Sequence, residues 1–362
     1  MKGSFKIGNI AGINLFIHWT FSILIAYIVF SNYRAGQNAE QIIWSVIFIL
    51  SIFVTVLMHE MGHALAAKRF NIITKDITLL PIGGLARIES MPEKPKEELI
   101  IAIAGPAVNI AIAMITGLFI TIPDAKVLNE QLISGINANN FFLAFYFVNL
   151  WLALFNFIPA FPMDGGRVLR ALLAMKFERQ VATNIAARIG QILALGFIFL
   201  GFYYNPFLIF IGLFVMLSAQ AEAEYTQVKS MLKGYKVKDV LMKHYQKIDA
   251  GEKIKAAVQM LLNGQSKNFL VTENDEPVGT LSRNEIIKAL SEQGENELIR
   301  NAMNSNLIFL NTDALLEEVF QQAQQNKSNL MPVMENNRLI GAIDTENILE
   351  FIMVKDILKK EM

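Results

Sequence analysis

Two imidazoles and a carboxylate fall within five residues of an apolar segment. In the string VLMHEMGHALAA, His59 and His63 are four residues apart and Glu60 directly follows the first of them. On a helix, positions i and i+4 share a face, so both rings can reach one metal ion while Glu60 addresses a water beside it. That spacing suits metal-assisted hydrolysis. The chain has only 4 His and no Cys, so chance assembly of the pattern is on the order of a few in a thousand. Without Cys there is no disulfide framework, no thiolate nucleophile and no thiolate metal site, and any metal must be held by His, Asp or Glu.

A catalytic zinc takes three protein ligands and keeps one position open, so a third ligand is needed. The stretch NFIPAFPMDGGRVLRALL covers 156–173, and its Pro159 and Pro162 must interrupt a helix. Backbone freed at membrane depth is tolerated only where it packs in protein or lines a polar cavity. Asp164 ends a run from 131 through 163 that carries no charge. On the residues alone two readings of Asp164 stay open: the third metal ligand, or the cap of a helix that begins at Gly165 and Gly166. His18 beside Trp19 reads as an interfacial anchor, and His244 as a surface residue. Gly105, Pro106 and Asn109, at the start of a further apolar segment, permit close helix approach, with Asn109 either packing there or hydrogen-bonding across helices.

The 362 residues carry 32 basic and 32 acidic side chains, which argues against a nucleic-acid binder. At 53% hydrophobic and 18% charged the chain is too apolar for a soluble protein of this size. Nearly all long apolar runs lie in 1–221, and 222–362 reads as a soluble sequence. Six spans are predicted, at about 15–31, 41–66, 99–122, 138–158, 184–203 and 206–221, the last two joined by a tight turn at Tyr204, Asn205 and Pro206. The first reads as a retained anchor, since no small-residue cleavage site follows it. Lys2 and Lys6 precede span one. Lys68, Arg69, Lys75, Arg87, Lys94 and Lys96 separate spans two and three, and Arg167, Arg170, Lys176, Arg179 and Arg188 separate four and five, whereas the other loops hold few, Arg34 and Lys126 among them. This places both termini in the cytoplasm of a multi-pass cell-membrane protein. FKIGNIAGINLFIH before span one reads as a short strand pair. DITLLPIGGLARIES (76–90) reads as a loop or hairpin, with Pro81, Gly83 and Gly84 at its turn and an edge able to accept an extended peptide.

HEMGH in the second span, PIGG at 81–84, AGPAVN at 104–109 and NFIPAFPMDGGR at 156–167 together resemble the motif set of the site-2 proteases, the intramembrane zinc metalloproteases. The resemblance implies a six-helix core with one zinc per chain, held by His59, His63 and Asp164, and Glu60 as general base. It also implies that Asn156 holds the substrate or the developing oxyanion, and that the PIGG loop pairs with an unwound substrate strand. Because a helix ties up its own carbonyls, the expected substrate is a single-span membrane protein with a weak helix, met in the lipid bilayer.

Residues 222–236 read as a helical linker. Beyond it LVTENDEPVGTLSRNEIIKAL (270–290) matches PVMENNRLIGAIDTENILEFI (332–352), so that Gly279 falls on Gly341 and Val271 on Val333. Each half runs strand, turn, strand, helix, with a further helix upstream at 252–263 and 313–325. The repeat resembles a pair of cystathionine-β-synthase-type (CBS) domains. The expected fold class is thus an all-α polytopic membrane domain with short β elements at its cytoplasmic edge (1–221), a linker (222–236) and a soluble α+β CBS pair (237–362). Members of that family often bind adenine nucleotides through a hydroxyl residue and an Asp three positions on. Here those positions hold Ser282 and Glu285, then Asp344 and Asn347, and both pairs depart from the pattern. A regulatory nucleotide and a purely structural or homodimerising role both stay open. The chief rival to a zinc endopeptidase gated by this tail is a CBS-gated ion transporter or channel using the same His, Glu and Asp; a third reading is an inactive scaffold.

Overall fold

The computed structural model describes all residues except 1–2, 82, 89–91, 125–134, 265, 327–329, 337 and 361–362. Lys2 and Lys126, used above for orientation, lie outside the described residues. The chain forms two compact units, Met1–Glu224 and Tyr225–Met362.

The first unit opens with a hairpin, β1 (Ser4–Ile10) and β2 (Ile13–His18). Its two-residue turn, Ala11 and Gly12, has positive φ at both positions, the handedness that matches strand twist. Helices α1 (Phe21–Arg34) and α2 (Ala39–Arg69) lead to a second hairpin, β3 (Thr74–Leu80) and β4 (Gly83–Ile88). The hairpins join into one sheet, ordered β1-β2-β3-β4, through parallel pairing of β2 with β3. A parallel pair needs a long crossover, here α1 and α2, and its partner strands lie too far apart in sequence for local pattern to reveal. There follow α3 (Pro95–Gly117), α4 (Phe141–Asn156), α5 (Asp164–Ala174), α6 (Arg179–Tyr203) and α7 (Phe207–Leu232).

Four helices among the described residues, α2, α3, α6 and α7, are long and apolar enough to cross a membrane. The other two expected spans are shorter. Strand β2 takes the front of the first apolar run and leaves α1 with 14 residues; α4 has 16 and stops at Asn156 ahead of Pro159. At 1.5 Å per residue these helices reach only about 21 and 24 Å, against about 30 Å of hydrocarbon. Helix α2 starts from a capping box, Asn38 with Gln41, and ends on Lys68 and Arg69. It packs closely on α3, since a Cβ at Gly62 would stand 2.8 Å from the Ala104 carbonyl oxygen.

Across most of the helical linker expected at 222–236 the last apolar helix, α7, runs on to Leu232. Then come β5 (Lys247–Asp249), α8 (Ile254–Asn263), β6 (Asn268–Glu273), β7 (Glu276–Ser282), α9 (Arg283–Glu292) and the short α10 (Ile299–Ala302). The second repeat supplies β8 (Leu310–Asn311), α11 (Leu316–Asn326), β9 (Leu330–Glu335), β10 (Arg338–Asp344) and α12 (Thr345–Lys360). Each repeat forms a three-stranded sheet, β5-β6-β7 and β10-β9-β8.

The repeats exchange their leading segments. Val237 N–H donates to Ala314 O at 3.0 Å, and Ile299 N–H donates to Glu252 O at 2.9 Å. Met242 and Ala342 exchange backbone hydrogen bonds at 3.0 and 3.1 Å, and Asn304 and Thr280 do so at 2.8 and 2.9 Å. Each pair is the image of the other in the repeat. Leu232, Val237 and Val240 accordingly lie in the core of the second repeat with Leu316, Phe320 and Val333, while Ile299 lies in that of the first with Ile254 and Val271.

Gly279 and Gly341 make the exchange possible. A Cβ would stand 3.0 Å from Asn304 O at the first and 2.7 Å from Met242 O at the second. Gly279→Ala is therefore expected to raise amide hydrogen exchange in 299–304 and leave 237–242 protected, and Gly341→Ala to do the reverse. Exchange mass spectrometry on the full chain checks this, and equal loosening of both segments would contradict the paired exchange.

Candidate metal centre

Helix α2 presents His59 and His63 on one buried face, and α3 packs behind both. The carbonyl oxygen of Ile101 can only accept, so His63 carries its proton on Nδ1 and donates there at 2.7 Å. His59 Nδ1 donates to Asn109 Oδ1 at 2.6 Å. The Asn109 amide is turned that way by donating its own Nδ2 to Asn149 Oδ1 at 3.4 Å, and Asn149 donates to Phe145 O at 2.9 Å. Both Nε2 atoms are thereby left as lone pairs.

These lone pairs point at each other and at one carboxylate oxygen. The two Nε2 atoms are 3.1 Å apart, and each is 3.1 Å from Asp164 Oδ2. A single proton can bridge two of these atoms but not three. A divalent cation satisfies all of them, and the spacing is near the edge of about 3.3 Å expected for a tetrahedron with zinc-like ligand distances. Among the described residues this is the group of three ligating side chains that converges on one point. Gly105 of α3 borders the same point: a Cβ there would collide with His63 Nε2 and stand 2.7 Å from His59 Nε2. The donor set and the space fit a zinc ion.

Asp164 does not cap its helix. The N-cap of α5 is Met163, and no side chain makes a capping bond, so the competing reading of Asp164 gives way to the convergence just described. Its other oxygen lies 3.9 Å from an Arg167 guanidinium nitrogen. The chain turns back sharply after α4, and Gly165 and Gly166 allow it, because a Cβ at Gly166 would stand 2.6 Å from the Ala160 carbonyl carbon.

Glu60 is half-buried beside the three ligands, and β4 runs directly over it: a Cβ at Gly84 would stand 2.6 Å from Glu60 Cγ. Strand β4 is an edge of the sheet, reached by the turn at Pro81 and Gly83. Asp76 and Arg87 brace the hairpin from opposite strands, with Arg87 Nε donating to Asp76 Oδ1 at 2.8 Å. Asn156 is the last residue of α4 and donates to Leu152 O at 2.9 Å; among the described residues no hydrogen bond ties it to the ligands. His18 pairs locally with Thr20 at 2.7 Å, away from the cluster. Asn109 and Gly105, expected at the start of their span, sit mid-helix in α3. Asn149 escaped the sequence reading altogether. Its signal was a buried amide in an otherwise apolar helix.

In the tail, three of the four residues set apart above serve as helix caps, and the fourth, Asn347, supplies the backbone N–H that Asp344 caps. Ser282 Oγ accepts from Glu285 N–H at 3.4 Å, and Glu285 Oε2 accepts from Ser282 N–H at 2.7 Å. Asp344 Oδ1 accepts from Asn347 N–H at 2.7 Å. Burial pushes the Asp344 carboxyl above its usual range.

The profile of peptidase family M50 matches residues 47–197, and that of the CBS domain matches 237–292 and 299–354. A zinc metalloprotease of Methanocaldococcus jannaschii, MJ0392, is 31% identical over 100% of this chain and 99% of its own length. The chain belongs to peptidase family M50, the site-2 proteases. Stage IV sporulation protein FB of Bacillus subtilis is 26% identical over 67% of this chain and 83% of its own. A solved site-2 protease from Methanocaldococcus jannaschii is 35% identical, covering 61% of this chain and 95% of that one, at a TM-score of 0.44. The chain is thus a metalloprotease by family, with a CBS pair appended.

Two outcomes follow. Asn109→Ala is expected to weaken zinc binding about 10- to 100-fold, and Gly105→Ala to remove it, as read by chelator competition on the full chain. For Asp344, the folded carboxyl holds its proton more tightly than the unfolded one, so its contribution is favourable at low pH and is lost as pH rises through the folded value. Asp344→Asn keeps a capping oxygen and is expected to raise stability of the tail at neutral pH and flatten its pH dependence, measured by denaturant melts across pH.

Proposed function

We propose that this metalloprotease is a zinc endopeptidase of the membrane interior, cutting a single-span membrane protein in or near its transmembrane segment, with the CBS pair modulating it from the cytoplasm. The observation that carries the reading is the convergence of His59, His63 and Asp164 beneath Gly105 and next to Glu60. A zinc ion held by those three side chains would supply Lewis acidity, lowering the pKa of a bound water towards neutrality and polarising the scissile carbonyl. Glu60 then accepts the proton of the attacking water and returns it to the leaving amine nitrogen. The substrate, locally unwound, adds to the free edge of β4, which places its backbone over Glu60. Asn156, at the end of α4, meets the developing oxyanion once its amide nitrogen releases Leu152 O.

The multi-pass arrangement with both termini cytoplasmic rests on the four long apolar helices and on the bias of Lys and Arg between them. An ion transporter would require neither peptidase kinship nor a carboxylate beside two His one turn apart. A nucleotide at the CBS pair has weaker support, since the candidate contacts already cap α9 and α12.

Co-expression with candidate single-span substrates tests the reading. Glu60→Gln is expected to lower cleavage about 10²- to 10⁴-fold while the purified variant still holds one zinc. Equal cleavage by wild type and variant, or wild type without zinc, would sink it.

A further inference from the structure

Four charged side chains cluster around a buried Arg170–Glu98 pair between α3 and α5, apart from the three ligands. Arg170 of α5 is 2% exposed and Glu98 of α3 is 1% exposed. Arg170 Nε donates to Glu98 Oε1 at 2.8 Å, and its terminal nitrogens pair with Glu98 and with Glu222 of α7. Arg179, at the start of α6, reaches the other Glu98 oxygen at 3.0 Å and the Pro92 carbonyl at 2.9 Å. The Arg170 guanidinium also lies over the Phe161 ring, 5.1 Å from its centre. Two positive and two negative charges balance, so the cluster has no net charge to offer a ligand.

A buried ion pair is costly to desolvate and is rarely the cheapest way to hold helices together; apolar side chains of similar volume often do as well or better. What it adds is geometry. A planar guanidinium held by two carboxylates and a ring has one position and one orientation. The two elements it fixes are those that build the proposed metal centre. Helix α3 orients both imidazoles, through Ile101 one turn beyond Glu98 and through Asn109, and α5 begins with Asp164. The turn after α4 is held on the same side, by Phe161 beneath Arg170. Nothing else in the described hydrogen bonds joins α3 to α5 by side chains.

We infer that Arg170 and Glu98 form a positioning strut that sets the distance of Asp164 from His59 and His63, and so sets the affinity of the site for its metal. The inference rests on the zinc site proposed above. Arg170 and Glu98 touch neither the ligands nor the substrate path, so both are positioning residues.

The test compares zinc affinity with fold stability in the full chain, using zinc alone as the probe. In Arg170→Met/Glu98→Met the two fully buried charges are replaced together by apolar side chains of comparable reach, which preserves helix packing; Arg179 and Glu222 each lose a partner but reach solvent, and Arg179 keeps the Pro92 carbonyl. Zinc binding by chelator competition is expected to weaken about tenfold or more, while the melting temperature of the metal-free protein stays close to wild type. Glu222→Gln, which leaves the Arg170–Glu98 pair intact at a half-exposed partner, is expected to weaken zinc binding by a smaller factor. Wild-type zinc affinity in both variants overturns the strut. If the double variant does not fold, the decision falls to Glu222→Gln, with unchanged affinity again overturning it. Absence of zinc from wild type removes the metal reading itself, an outcome distinct from either.

Discussion

Two imidazole nitrogens and a carboxylate oxygen aimed at one point, each 3.1 Å from the others, repel one another when all three present lone pairs. That constraint organises the first unit. His59 and His63 are held in a single tautomer by acceptors on α3, so neither ring can turn away or shed the strain by moving a proton. Asp164 arrives from a separate helix through a turn that glycine backbone makes narrow enough. The energetic cost of assembling the group without a cation is what gives a bound divalent ion its affinity.

Close approach is the second requirement, and it falls to glycine rather than to the ligands. Gly62 lets α2 and α3 touch backbone to side chain, Gly105 keeps the space between the imidazoles and α3 free, and Gly84 lets an edge strand lie on Glu60. These positions would gain packing area from any larger residue. Their smallness is explained by what must pass or sit beside them, and each belongs to a different element, so that α2, α3 and β4 meet around one small volume.

Much of this was legible in the residues. The i, i+4 spacing of two His in a chain with only 4 put both rings on one helix face, because that pattern depends on one helix alone. Asp164 could not be settled so: whether it caps a helix or faces the imidazoles depends on how α5 folds back on α2, a contact between positions a hundred residues apart. Asn149 was illegible for the same reason, since an amide in the middle of FFLAFYFVNLWLALFN names no partner. Of the six expected spans, four are long apolar helices among the described residues, because hydropathy records composition and not where a strand such as β2 takes residues from an apolar run. The 62-residue repeat was visible as text. The exchange of leading segments was not, because repetition shows which residues correspond and not which copy they fold against.

That exchange changes how the tail can respond to anything that binds it. The core of each repeat is closed by a segment from the other, Val237 and Val240 on one side and Ile299 on the other, so neither repeat can loosen without exposing apolar residues of its neighbour. The caps Ser282 with Glu285 and Asp344 with Asn347 stand where each second strand enters its helix, directly after the glycines that receive the exchanged segments. A ligand contacting either cap would therefore act on the seam between repeats rather than on one of them.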